Sequence, residues 1–186
     1  ELAARVSAIG AAATKARYLA LAADPAATAL ARTAAADAEG TGYQPVVAQA
    51  NLALGAALEM ERAKPSADVY GKAADAALDG GDDVRFVEAF ARRLFVVSRR
   101  ADEDASALTA TLPFVTTIAK RTGAAGGFAR ALLYNNAASA RLAILSSKAS
   151  SRDGEGPFGS FLGTRFGALK PMRTSSAVAT SRMPRF

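Results

Sequence analysis

The chain has 186 residues, about half of them apolar, enough for one compact domain or for roughly four or five helical hairpins. It contains neither Cys nor His, which excludes disulfides, metal sites of the Cys or His type, Ser-His-Asp triads and Cys-His dyads; any catalysis would rest on Asp, Glu, Lys or Tyr. The net charge of +6 is unevenly placed, with 16 Lys and Arg against 15 Asp and Glu in residues 1–145 but 7 against 2 in residues 146–186, so the basic surplus is no nucleic-acid footprint of the longer part.

The apolar half is mostly alanine, 48 Ala against 17 Leu, 10 Val and 3 Ile, a mixture that favours helices over strands and lets helices approach closely. Arg and Lys recur through the Ala-rich N-terminal stretch, so no membrane-spanning helix is expected. The start, ELAARVSAIG, lacks the basic leader of a signal peptide and reads as the middle of a helix; a cytoplasmic location is expected.

In chain order, the spacing predicts a first helix from Leu2 to about Ala22 with a break at Gly10, then a second to about Glu39 that opens on Asp24-Pro25. From Pro45, the residues Val47, Ala50, Leu54 and Leu58 mark one face of a third helix ending near Arg62. Ser66 is expected to cap a fourth, with Val69, Ala73 and Ala76 inward, and Gly80-Gly81 ends it. Asp82 and Asp83 then suit the start of a fifth, whose stripe is Val84, Val87, Ala91, Leu94 and Val97. After the acidic turn 101–104 comes a helix with Leu108, Leu112, Val115 and Ala119, kinked at Pro113 and stopped by Gly123. A last helix carries Phe128, Leu132, Asn135, Ala138, Leu142 and Leu145 as its apolar face. First-in-pair helices thus start near 45, 83 and 128, a period of about forty residues that suits two-helix repeats. The fold expected is all-α, an α-solenoid of antiparallel hairpins over 1–145, followed by an irregular basic tail over 146–186.

Asn-Leu-Ala-Leu-Gly at 51–55, with Leu58, Ala67 and Ala74, resembles the tetratricopeptide repeat, although Asn51 stands where an aromatic is usual and Gly71 where a large residue is usual, with Tyr70 one place off. A Gly-Tyr-x-Pro entry at 42–45, Gly-Gly-Asp-Asp at 80–83 and Leu-Leu-Tyr-Asn-Asn at 132–136 are similar to the degenerate repeat tails of large bacterial serine/threonine protein kinases. That resemblance implies a segment of a bacterial signalling protein whose kinase domain lies upstream; with no catalytic constellation in the chain, a partner-binding scaffold is expected, the alternatives being a non-binding structural tail of the kinase or anionic-surface binding through residues 146–186.

For a repeat of this kind a concave groove holds a protein or peptide partner, and the candidate contacts are the amides of Gln49 and Asn51 on one first helix and of Asn135 and Asn136 on the last. No cofactor, metal or nucleic acid is expected. Arg92-Arg93 and Arg99-Arg100 read as a solvated face, and Asp82-Asp83 and Asp102-Glu103-Asp104 as helix caps, since they lack calcium-loop spacing. Gly154 to Gly159 matches G-x-G-x-x-G, but no strand pattern flanks it and only sixteen residues follow Lys170, so it is read as coincidence. A shifted reading frame is a further account of the tail, since codons for Gly163 to Pro171 can be chosen that spell a repeat-like phrase one base along.

Overall fold

A computed structural model describes residues 1–100 and 105–153. The acidic turn at 101–104 and the glycine motif at 154–159 lie outside them, as does the rest of the tail to residue 186. Among the described residues the secondary structure is entirely helical: α1 Leu2–Leu21, α2 Ala26–Glu39, α3 Gln44–Met60, α4 Ser66–Asp79, α5 Asp83–Ser98, α6 Ser106–Ala110, α7 Leu112–Arg121 and α8 Gly127–Asp153. None of these helices is long and apolar enough to cross a membrane.

Short turns join the first five helices, and residues in the left-handed conformation close them. Gly42 (φ 66), Gly81 (φ 68) and Gly123 (φ 58) follow α2, α4 and α7, where glycine adopts this backbone without a Cβ penalty. Ala23 (φ 54) and Arg62 (φ 56) do the same after α1 and α3. Asp24 opens the next helix by accepting the Ala26 amide at 2.8 Å, and Asp82 does so for α5 by accepting the Arg85 amide at 2.9 Å.

Three expectations at helix ends and breaks are corrected. Gly10 does not interrupt α1; it is the point where α3 comes close, and a Cβ there would sit 3.4 Å from Gln49 Oε1. Ser66 does not cap α4 but is its buried first residue, with Oγ 3.2 Å from the Arg100 guanidinium. Pro113 does not kink one helix. The chain breaks at Thr111 into α6 and α7, and Pro113 lies in the first turn of α7, where its missing N–H costs nothing.

The first five helices pack on their neighbours in sequence, α1 packs also on α3 and α3 on α5, and α5 packs on α7. Two apolar clusters result, both drawing on α3. In the first, Ala13, Ala16 and Ala20 of α1 pack with Ala27, Ala31 and Ala38 of α2 and with Leu54 and Leu58 of α3. The second gathers Tyr70, Val87, Leu94 and Val115 with Leu133 of α8. Being covered on several sides, α3 buries Ala50, Asn51, Leu52, Ala53, Leu54 and Gly55 in succession, well beyond the single stripe its spacing predicts. Of the stripe expected for α4, Ala73 and Ala76 are buried and Val69 only half-buried, and the inward face is wider than that stripe, taking in Tyr70, Ala74 and Ala77. Residues 1–150 form one compact unit.

Candidate functional site

Because α1, α3 and α5 lie side by side, their shared face is continuous, and a cleft of about 400 Å³ opens across it. Thr14, Arg17 and Tyr18 of α1, Gln49 of α3, and Arg85 and Glu88 of α5 supply its polar lining. Tyr18 and Leu21 stand at its α1 edge, both about 70 % exposed.

From the Arg17 and Glu88 side chains of this cleft a chain of polar contacts links four helices. Arg17 of α1 pairs with Glu88 of α5, whose carboxylate also accepts from Arg92 Nε at 3.1 Å. Arg92 in turn lies 3.7 Å from Glu59 of α3, and Glu59 accepts the phenolic proton of Tyr70 of α4 at 2.5 Å. Glu88 is almost fully buried, and two guanidinium groups hold it, which offsets the cost of taking its charge out of water. Burial first, and then the neighbouring Glu59 carboxylate, push the Tyr70 phenol well above its ordinary pKa of 10.0, so it remains a neutral donor. At Arg92 burial opposes the charge, yet the Glu88 and Glu59 carboxylates help hold the guanidinium above its ordinary value.

The four amide side chains singled out from the sequence do not act as a set. Gln49 does line the cleft, and its Nε2 is engaged there with the Gly10 carbonyl at 3.0 Å and Thr14 Oγ1 at 3.1 Å. Asn51 is buried and donates to the Val47 carbonyl of its own helix at 3.0 Å. Asn136 is buried as well and donates to the Ala91 carbonyl of α5 at 2.9 Å, tying α8 to α5. Asn135 is exposed, and its amide rests on Asn136 Oδ1 at 3.2 Å. Two of the four are therefore interior ties between or within helices, and only Gln49 faces the cleft.

Sequence reasoning missed Arg17, Glu88 and Arg85. Nothing in a linear pattern joins Arg17 to Glu88 across 71 residues, although a Glu inside the apolar run Phe86 to Ala91 was a visible anomaly. The basic pairs on α5 are not a uniform solvated face either. Arg92 belongs to the polar chain, the Arg93 guanidinium lies over Gly71, Arg99 stacks 5.0 Å above the Phe95 ring, and Arg100 donates to the Ala63 carbonyl at 3.0 Å. A second cleft, of about 510 Å³, lies at that end of α5 and includes Arg62, Phe95 and Arg99. Among the described residues no group of three or more Asp or Glu side chains is placed to hold a metal.

No protein-family model, curated protein or solved structure matches the chain.

Proposed function

We propose that the protein is an interaction scaffold, a short solenoid of tetratricopeptide-like hairpins that holds a peptide of a partner protein in the cleft across α1, α3 and α5. The observation that carries this reading is the cleft itself: three non-consecutive helices present one face, with apolar edges at Tyr18 and Leu21 and the cations Arg17 and Arg85 within it. Packing of α1 to α5 each on its sequence neighbours, with α1 also against α3 and α3 against α5, supports this reading, since stacked hairpins pack in this way.

The tetratricopeptide resemblance is supported at the residues that carry it. Leu54, Leu58, Ala67 and Ala74 are buried, and Gly55 lies directly against the Tyr70 ring. The departure at Gly71 has a local reason. Tyr70 supplies the bulk one position earlier, and the space at Gly71 is taken by the Arg93 guanidinium, 3.2 Å from where a Cβ would stand. On this reading the chain is a regulatory, non-enzymatic segment of a larger bacterial signalling protein, in keeping with its similarity to kinase repeat tails.

A peptide-array screen with the full chain, followed by Tyr18→Ser and Arg85→Ala variants, tests the proposal. Tyr18 is exposed and Arg85, though paired with Asp82, is partly so, and the variants are expected to stay within about 1 kcal/mol of wild type while losing the selected peptides. Peptides retained in full by both variants contradict the cleft as the binding site.

A further inference from the structure

Helix α8 has two apolar faces. One, made by Ala129, Leu133 and Ala140, joins the buried cluster, and Asn136 on the same side bonds to α5. Of the stripe expected from the sequence, Leu132 packs partly against the core, while Phe128 (63 % exposed), Leu142 (67 %) and Leu145 (64 %) face outward with Asn135 and Ala138, and Ala131 is exposed beside them. Positions 128, 131, 135, 138, 142 and 145 alternate steps of three and four, the spacing of a coiled-coil seam.

We propose that this outer seam of α8 receives an acidic amphipathic helix of a partner protein. The seam is shaped for a helix. Bulky residues stand at its ends, while the small side chains of Ala131 and Ala138 allow close approach at its centre. Asn135 at the middle offers a polar group of the kind that fixes register between paired helices. Charge selects the partner: from residue 127 to 149 the sequence contains Arg130, Arg141 and Lys148 and no Asp or Glu. Arg141 and Lys148 fall at positions flanking the seam, where Glu or Asp on a partner helix would meet them. Against a second copy of α8, Arg141 finds no carboxylate along the seam, since residues 127–149 contain none. An anionic membrane surface is disfavoured because Asn135 and two alanines interrupt the bulky apolar face such a helix needs. This seam belongs to α8 alone, and the proposal does not depend on the cleft.

The test uses the full chain and a labelled synthetic helix of about three heptads, with Leu at the seam positions and Glu at the flanking ones, alongside a control with Lys for Glu. Fluorescence anisotropy is expected to show saturable, salt-sensitive binding of the acidic peptide and binding at least about tenfold weaker for the control. Leu142→Gln with Leu145→Gln, both at exposed positions, is expected to weaken the acidic peptide at least about tenfold without shifting the thermal melt. Absence of acidic-peptide binding, equal binding of the two peptides, or affinity unchanged in the double variant overturns the proposal. So does self-association in sedimentation, or binding to anionic vesicles, that the double variant abolishes.

Discussion

A Cβ placed on Gly55 would sit 2.6 Å from two carbons of the Tyr70 ring, closer than any real side-chain contact. Tyr70 is completely buried, so the ring has no open space to move into. Glycine in mid-helix costs about 1 kcal/mol relative to alanine, and here it permits α3 and α4 to lie in contact. Gly55→Ala is therefore expected to destabilise the fold by about 1–3 kcal/mol despite its better helix propensity, as urea titration would measure. In a Tyr70→Ala background the same substitution is expected to cost far less, because the clash is gone. Equal costs in both backgrounds would contradict this contact.

Tyr70 also makes stability pH-dependent on the alkaline side. Its folded pKa is raised above the unfolded value near 10.0, so folding favours the protonated phenol. The contribution is complete below pH 10 and is lost as the pH climbs through that value toward the folded pKa. Comparing wild type with Tyr70→Phe between about pH 8 and about pH 11 checks this. The variant is expected to be less stable by about 1 kcal/mol at the lower end, having lost its hydrogen bond to Glu59, and the gap is expected to close as the pH rises. A constant gap would show that Tyr70 does not report the ionisation.

Glu88 is the junction of the polar chain, contacted by Arg17 and Arg92. Glu88→Gln is expected to cost about 2–3 kcal/mol, since it leaves Arg92 short of a countercharge in a largely enclosed setting. Arg17→Ala should cost about 1 kcal/mol or less, because its side chain is 35 % exposed and water replaces part of the pairing. Chemical denaturation of the two variants gives the order directly, and a larger effect at Arg17 would place the junction elsewhere.

The neighbouring asparagines separate a structural role from a surface one. Asn136→Ala removes the donor to the Ala91 carbonyl inside the α5–α8 contact, with an expected loss of about 1–3 kcal/mol. Asn135→Ala, on the exposed face, is expected to stay within about 0.5 kcal/mol of wild type. Thermal melts of the two single variants suffice to tell them apart.

How much of this was legible in the sequence differs by element. The bounds of α2 and α5 follow from local chemistry, since Asp24 and Asp82 each satisfy a backbone amide at the helix start and Gly81 takes the turn conformation before α5. Helix phase was harder wherever a helix had apolar residues all around it. On α8, Phe128, Leu142 and Leu145 outweigh Ala129 and Ala140 in any hydropathy pattern, yet the buried face is Ala129, Leu133 and Ala140, where small residues beside one leucine let the helices touch. The amides at Asn51 and Asn136 misled for a related reason: a buried Asn bonded to a backbone carbonyl looks, in sequence, the same as one offered to a ligand. The cleft itself could not be read, because Arg17, Gln49 and Glu88 meet only through packing across α1, α3 and α5.

The central claim, that a partner peptide lies across α1, α3 and α5, is tested most directly by amide chemical-shift mapping of the full chain with a peptide it selects. The largest shifts are expected around Thr14, Tyr18, Gln49 and Arg85, all of which line the cleft. Shifts confined to α2 and α4, with those four amides unmoved, would contradict it.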